Sequence, residues 1–102
     1  MYFIQKKKNQ IKKFKNKTIN FWIFISYKHH LYNYILHIIN YILDKHRKYN
    51  IKAKMYDPSN NLVNKFNIKI FPSTIILKQD QYFIYNGTDI NQIEKCIYEL
   101  AN

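Results

Sequence analysis

The sequence predicts an α/β domain, a mixed sheet with helices on both faces. Three observations predict it. Runs of β-branched and aromatic residues alternate with segments of helical period. Helical segments separate the early strands, which favours parallel crossovers. The last two strands are parted only by Gln79-Asp80-Gln81, a short polar link that suits an antiparallel hairpin.

Taken in order, residues 1–5, MYFIQ, read as a short edge strand. Residues 6–16 are lysine-rich, and Ile11 and Phe14 stand three apart. That spacing predicts a short helix with one apolar seam. Residues 17–25 are mostly β-branched or aromatic, as in a central strand buried on both faces. From His29 to Tyr49 the period changes. Leu31, Ile35, Ile38, Ile39, Ile42 and Leu43 recur at helical steps, and Lys45, Arg47 and Lys48 suit the last turn. Residues 51–56 form a second inner strand. Asp57-Pro58 reads as a helix start, with Asp as cap and Pro at the first helical position. That helix carries Leu62, Val63 and Phe66 and fades near Asn67. STIILK after Pro72 is a third inner strand, and residues 82–86 are a fourth. Asp89 with Gln92 resembles a capping box, and Ile90, Ile93, Ile97 and Leu100 form one helical stripe. The expected order is β-α-β-α-β-α-β-β-α.

At 102 residues the chain reads as one domain with a modest core. Its 47% apolar and 18% aromatic content excludes a wholly disordered chain. The net charge of +11 favours loose attraction to polyanions or anionic membrane. Composition supplies a second source for it. Lys, Asn, Ile, Tyr and Phe fill more than half the chain, and all five use AT-rich codons. The only cysteine, Cys96, excludes an intramolecular disulfide, a CxxC pair and a cysteine-based zinc site. No apolar run approaches the roughly 18 residues of a membrane span. FWIFI lies far from Met1 with no small-residue cleavage site after it, so it reads as a strand rather than a signal segment.

Four segments together resemble the thioredoxin superfamily, above all thioredoxin and the domains of protein disulfide isomerase. NFWIFIS is similar to the strand that leads into the family's active-site turn. YDPSNNLVNKFNI is similar to the segment that leads toward the family's cis-proline, and IKIFPSTIILK to the cis-proline segment and its following strand. FIYNGTDINQIEKCI is similar to the closing strand, glycine and last helix. The resemblance covers about residues 9–101 and implies a thioredoxin-like fold.

It also implies where chemistry is missing. Pairing Phe21-Trp22 with the family's aromatic pair sets Ser26, Tyr27, Lys28 and His29 where C-x-x-C should stand. Disulfide exchange needs one thiolate to attack and a second thiol to release the mixed disulfide. A serine hydroxyl does neither at neutral pH. Asn20 stands where the family commonly has a proton-managing carboxylate. Cys96, in the last helix, is remote from the turn. The resemblance therefore implies a domain that is not an enzyme and needs no cofactor. In the family the cis-proline loop offers backbone groups to an extended peptide, an interaction that needs no thiol. Ile25, Tyr27, Phe71, Pro72, Ser73 and Gly87 are the expected surround of that face.

Other constellations are weaker. Ser26 and His29 could form a nucleophilic pair, but no nearby carboxylate orients the imidazole. His30, Tyr34 and His37 fall along one helical face, yet histidines seven apart lie about 10 Å from each other, too far to share a metal. Lys6, Lys7, Lys8, Lys12, Lys13, Lys15 and Lys17 form the densest charge cluster, a candidate polyanion contact without a stacking platform or nucleic-acid motif. Gly87, the only glycine, is expected at a positive φ or a close backbone approach beside the Pro72 loop.

Three functions follow as expectations. The first is a redox-inactive thioredoxin-like module that binds unfolded or extended peptide or a protein partner, as a chaperone or adaptor. The second is a basic adaptor that contacts nucleic acid or anionic membrane through its N-terminal lysines. The third is a non-catalytic domain or partner in a thiol-disulfide oxidoreductase system. The compartment stays open: a true start at Met1 implies cytoplasm, and a missing leader implies the endoplasmic reticulum or an organelle.

Overall fold

The computed structural model describes residues 7–8 and 18–101. Its elements are β1 (Lys7–Lys8), β2 (Ile19–Phe24), α1 (Tyr32–Lys45), β3 (Ile51–Tyr56), α2 (Asn61–Lys65), β4 (Ser73–Lys78), β5 (Gln81–Tyr85) and α3 (Ile90–Ala101). The strands form one mixed sheet in the order β1-β5-β4-β2-β3. β2 and β3 are parallel, as a crossover through α1 requires. β2 runs antiparallel to β4, and β4 to β5. The expected strand at residues 1–5 lies outside the described residues, as does the expected helix over residues 6–16 apart from Lys7 and Lys8. Those two residues are a correction. They form a strand paired with Tyr82 and Gln81 at the β5 edge.

The central strand is β2. Its side chains alternate between two apolar layers, as a pleated strand dictates. Phe21 and Ile23, both fully buried, face α1 and α3, where Ile35, Ile38 and Ile42 meet Ile93 and Ile97. Trp22 and Phe24 face the other way, toward Ile75, Ile84 and the Leu62 and Val63 of α2. Aromatic edges order this second layer. The Trp22 ring meets Tyr56 edge-on at 5.7 Å, and Phe24 stacks on Tyr56 at 5.4 Å. Burying each such ring is worth about 2 kcal/mol.

Local sequence sets the helix ends, with three departures from expectation. α1 starts at Tyr32, later than His29, because residues 26–31 are occupied by turns. α2 is capped by Asn60, whose side chain accepts from the Leu62 N–H at 2.9 Å. Asp57 instead holds the preceding turn, accepting from the Ser59 N–H and hydroxyl at 2.9 and 2.6 Å. Those two bonds, the hydroxyl's first, hold its carboxyl below the ordinary value. α2 ends on Asn67, left-handed at φ 55°, a conformation asparagine tolerates well. At the last helix Asp89 Oδ1 accepts from the Gln92 N–H at 3.2 Å, but the return arm of the expected capping box is not made. Gln92 Oε1 is buried without a partner. Among the described residues no helix is long and apolar enough to cross a membrane.

A polar cluster around the buried Glu94 ties α1 to α3. Glu94 Oε2 accepts from Lys45 Nζ at 2.9 Å and from His46 Nε2 at 2.6 Å. His46 and Glu94 are 4% and 7% exposed. His46 also closes α1, its N–H donating to the Ile42 carbonyl at 3.0 Å. Burial works to raise the Glu94 carboxyl, but the bonds from Lys45 and His46 outweigh it and hold it below the ordinary value. A carboxyl with a lowered folded pKa adds stability above its unfolded pKa and loses it as pH falls through the folded one. Glu94→Gln is therefore expected to unfold at lower urea than wild type at pH 7. The gap should close progressively below pH 4.5, the ordinary glutamate value, in paired urea melts at pH 7, 5 and 3.

Candidate functional site

Strand register gathers the candidate site at one end of the sheet. Phe24, the last residue of β2, pairs with Tyr56 on one side and with Ser73 on the other. The Ile25 N–H then donates to the Tyr56 carbonyl at 2.9 Å, and the chain leaves the sheet at Ser26. The segment entering β4 at Ser73 is Phe71-Pro72, joined by a cis peptide bond. β5 leaves the sheet beside it, with Tyr85 opposite Thr74. The turn at residues 26–29, the Pro72 loop and the Asn86-Gly87 exit of β5 thus share one end.

The turn is built from its own side chains. The His29 N–H donates to the Ser26 carbonyl at 2.9 Å. Ser26 Oγ accepts from the Lys28 N–H at 3.2 Å, and His29 Nδ1 accepts from the Leu31 N–H at 3.0 Å. Each side chain thus serves the backbone two residues on, in the manner of an Asx or ST turn. Ser26 Oγ makes no bond to His29. An accepting Nδ1 leaves the proton of the neutral ring on Nε2, which removes the lone pair a metal or a serine proton would need. The His29 and His30 rings stack at 4.5 Å. His30 precedes α1, so the expected helical face joining it to Tyr34 and His37 does not form. No cluster of three or more metal-ligating side chains occurs among the described residues.

The expected peptide surround divides into surface and support. Tyr27 is 70% exposed, with Lys28 Nζ 5.8 Å from its ring centre. Phe71 and Pro72 are half-buried, and Phe71 packs into the second core layer. Ile25 is a correction: its side chain lies in the first core layer and offers no contact surface. Ser73 is fully buried, so its side chain supports the loop from within. Its hydroxyl is shared between the Ile70 carbonyl and Asn86 Oδ1, 3.1 Å from the latter. Gly87 is tied to β4 by the Thr74 hydroxyl, which donates to its carbonyl at 2.9 Å.

Sequence reasoning missed Ile70, which is 57% exposed immediately before Phe71. It also missed Tyr85 as the reason for Gly87. Gly87 has the expected positive φ, 157°, and a Cβ there would lie 2.9 Å from Tyr85 Cζ and Oη, so the close approach is to this ring rather than to the Pro72 loop. The same Oη accepts from the Asp89 N–H at 3.1 Å, at the entrance to α3. The polyanion candidates Lys6, Lys12, Lys13, Lys15 and Lys17 lie outside the described residues, and Lys7 and Lys8 lie in β1. Cys96 is buried in the first core layer on α3. Burial, with Glu99 nearby, pushes its thiol up to about 11. It stays protonated near neutral pH and is no nucleophile.

No protein-family model matches the chain, and no curated protein sequence does. Solved structures do. The germline-specific thioredoxin Deadhead of Drosophila melanogaster superposes with a TM-score of 0.69 at 11% identity, covering 83% of each chain. Thioredoxin O2 of Arabidopsis thaliana gives 0.68 at 14% identity, covering 84% of this chain and 77% of its own. Chloroplastic thioredoxin z gives 0.67 at 14%, covering 82% and 79%. At such identities the likeness shows the fold alone, a thioredoxin-like α/β fold. The chain carries one cysteine and no dithiol, and its turn after β2 reads Ser-Tyr-Lys-His.

The Gly87 contact carries a prediction. Gly87→Ala must push aside the Tyr85 ring and its bond to Asp89. The expected loss is about 1–3 kcal/mol of stability, as for other overpacked sites, read as a lower urea midpoint at unchanged m-value.

Proposed function

We propose that this protein docks extended polypeptide at the turn and Pro72 end of its sheet and exchanges no disulfides there. One observation carries the reading. The two side chains of the turn that would bear thiols are Ser26 and His29, each spent on a backbone N–H, and the only cysteine is buried on α3. What remains at that end is a contact surface. Tyr27 in the turn and Ile70 ahead of the Pro72 loop are exposed, and Phe71 and Pro72 are half-buried. An extended chain bound there would be held by main-chain hydrogen bonds and apolar contacts, neither of which needs sulfur. The solved structure of thioredoxin z is described as defining a type-specific target recognition. Recognition of that kind, separated from redox chemistry, is the role proposed for this chain.

The seven lysines among the first seventeen residues, with no acidic residue among them, support a second reading. Residues 18–102 carry ten basic and six acidic side chains, so most of the net charge sits at the N-terminus. A polyanion contact there would weaken steeply with salt.

Both readings are open to direct measurement. With dithiothreitol as electron source, insulin reduction is expected to stay at the uncatalysed rate, and turnover above it would refute the redox-inactive reading. Adding an unfolded peptide is expected to shift the amide signals of Tyr27, Ser73 and Gly87. Shifts confined to other regions would refute docking at this end. A polyanion role for the lysines predicts that binding to a DNA oligonucleotide is lost when residues 1–17 are removed.

A further inference from the structure

A cleft of about 300 Å³ opens beside the Pro72 loop. Buried Ile68 and Ile84 form its floor, and Phe66 and Ile70 its apolar wall. Lys69 and Asn86 stand among its lining. The volume lies at the lower limit of small-molecule sites, which suits one large side chain better than a free cofactor.

Two features join the cleft to the proposed docking end. Its first wall, residues 66–70, runs directly into Phe71-Pro72-Ser73, and its second, Ile84 and Asn86, runs directly into Gly87. The buried Ser73 hydroxyl pins the walls together by contacting both the Ile70 carbonyl and Asn86 Oδ1. Charge narrows the occupant. Lys69 is exposed and makes no ion pair among the described residues, and no carboxylate lines the cleft. A second copy of this chain, also at +11, would be repelled.

We infer that this cleft is a side-chain pocket for a docked polypeptide, receiving one large apolar side chain whose neighbour carries a carboxylate for Lys69. The inference rests on the peptide-docking reading and adds a specificity to it. The apolar group displaces water from the Ile68–Ile84 floor, and the carboxylate pairs with Lys69 at the surface.

The probe is an acetylated and amidated peptide, Ser-Gly-Ser-Leu-Asp-Ser-Gly-Ser, titrated into the full chain and followed by backbone amide signals. The Lys69, Ile70 and Asn86 amides are expected to shift together with those of Ser73 and Gly87. Replacing the peptide's Leu with Ser should weaken binding roughly tenfold, and replacing its Asp with Lys roughly threefold. Lys69→Glu alters an exposed side chain, so the fold should persist, and it should reverse the order of the Asp and Lys peptides. Shifts at Tyr27, Ser73 and Gly87 with still signals at Lys69, Ile70 and Asn86 would overturn the pocket and leave docking intact. No shift with any of the peptides would overturn both. An unchanged peptide order in Lys69→Glu would overturn the carboxylate preference.

Discussion

The structure depends on one strand being paired on both edges and buried on both faces. β2 is hydrogen-bonded to β3 on one side and to β4 on the other. Its side chains supply both apolar layers at once, with Phe21 and Ile23 in one and Trp22 and Phe24 in the other. A one-residue slip would exchange these layers and set Trp22 against α1. Register is therefore tightly fixed, and the geometry of the candidate site follows from it. Where β2 stops at Phe24, β4 begins at Ser73, so the turn after one and the loop before the other must be neighbours.

That placement is independent of sulfur. The turn closes through backbone bonds and through acceptors on Ser26 and His29. The Pro72 side is held by Ser73 and Thr74, two fully buried hydroxyls bonded to Ile70, Asn86 and Gly87. Buried polar groups in such a network are costly to leave unpaired, so each bond restrains the loops it joins. A surface so supported can persist without electron transfer, which is why the proposed docking needs no redox chemistry. The Glu94 cluster is a different kind of support. It fastens the far end of α1 to α3, about 20 Å along the helix from the turn.

Much of this was legible in the sequence because local pattern and global fold agree. β3 spans residues 51–56 and β4 residues 73–78, as expected, since both are β-rich runs with clear boundaries. The buried stripe of α1 also falls on the anticipated isoleucines. Disagreement arose where several local solutions competed. Asp57 and Asn60 are both good caps, and the choice between them turned on a tight Asp57–Ser59 turn that spacing does not reveal. The strand at Lys7–Lys8 answers to a β5 edge that is distant in sequence. At the site, the turn and the Pro72 loop were legible through family likeness. Burial of Ile25 and Ser73 was not, nor was the cleft at residues 66–70, because both depend on which face of the sheet a residue meets.

The most direct measurement is to restore sulfur to the turn in the double variant Ser26→Cys, His29→Cys. The 2.9 Å bond from the His29 N–H to the Ser26 carbonyl holds these residues in a closed turn, within the span a disulfide bridges. Incubated with oxidised glutathione, the variant should form one intramolecular disulfide and release two equivalents of reduced glutathione. Both thiols remaining free, or pairing only between molecules, would contradict the view that this fold keeps the shape of a redox turn without its thiols.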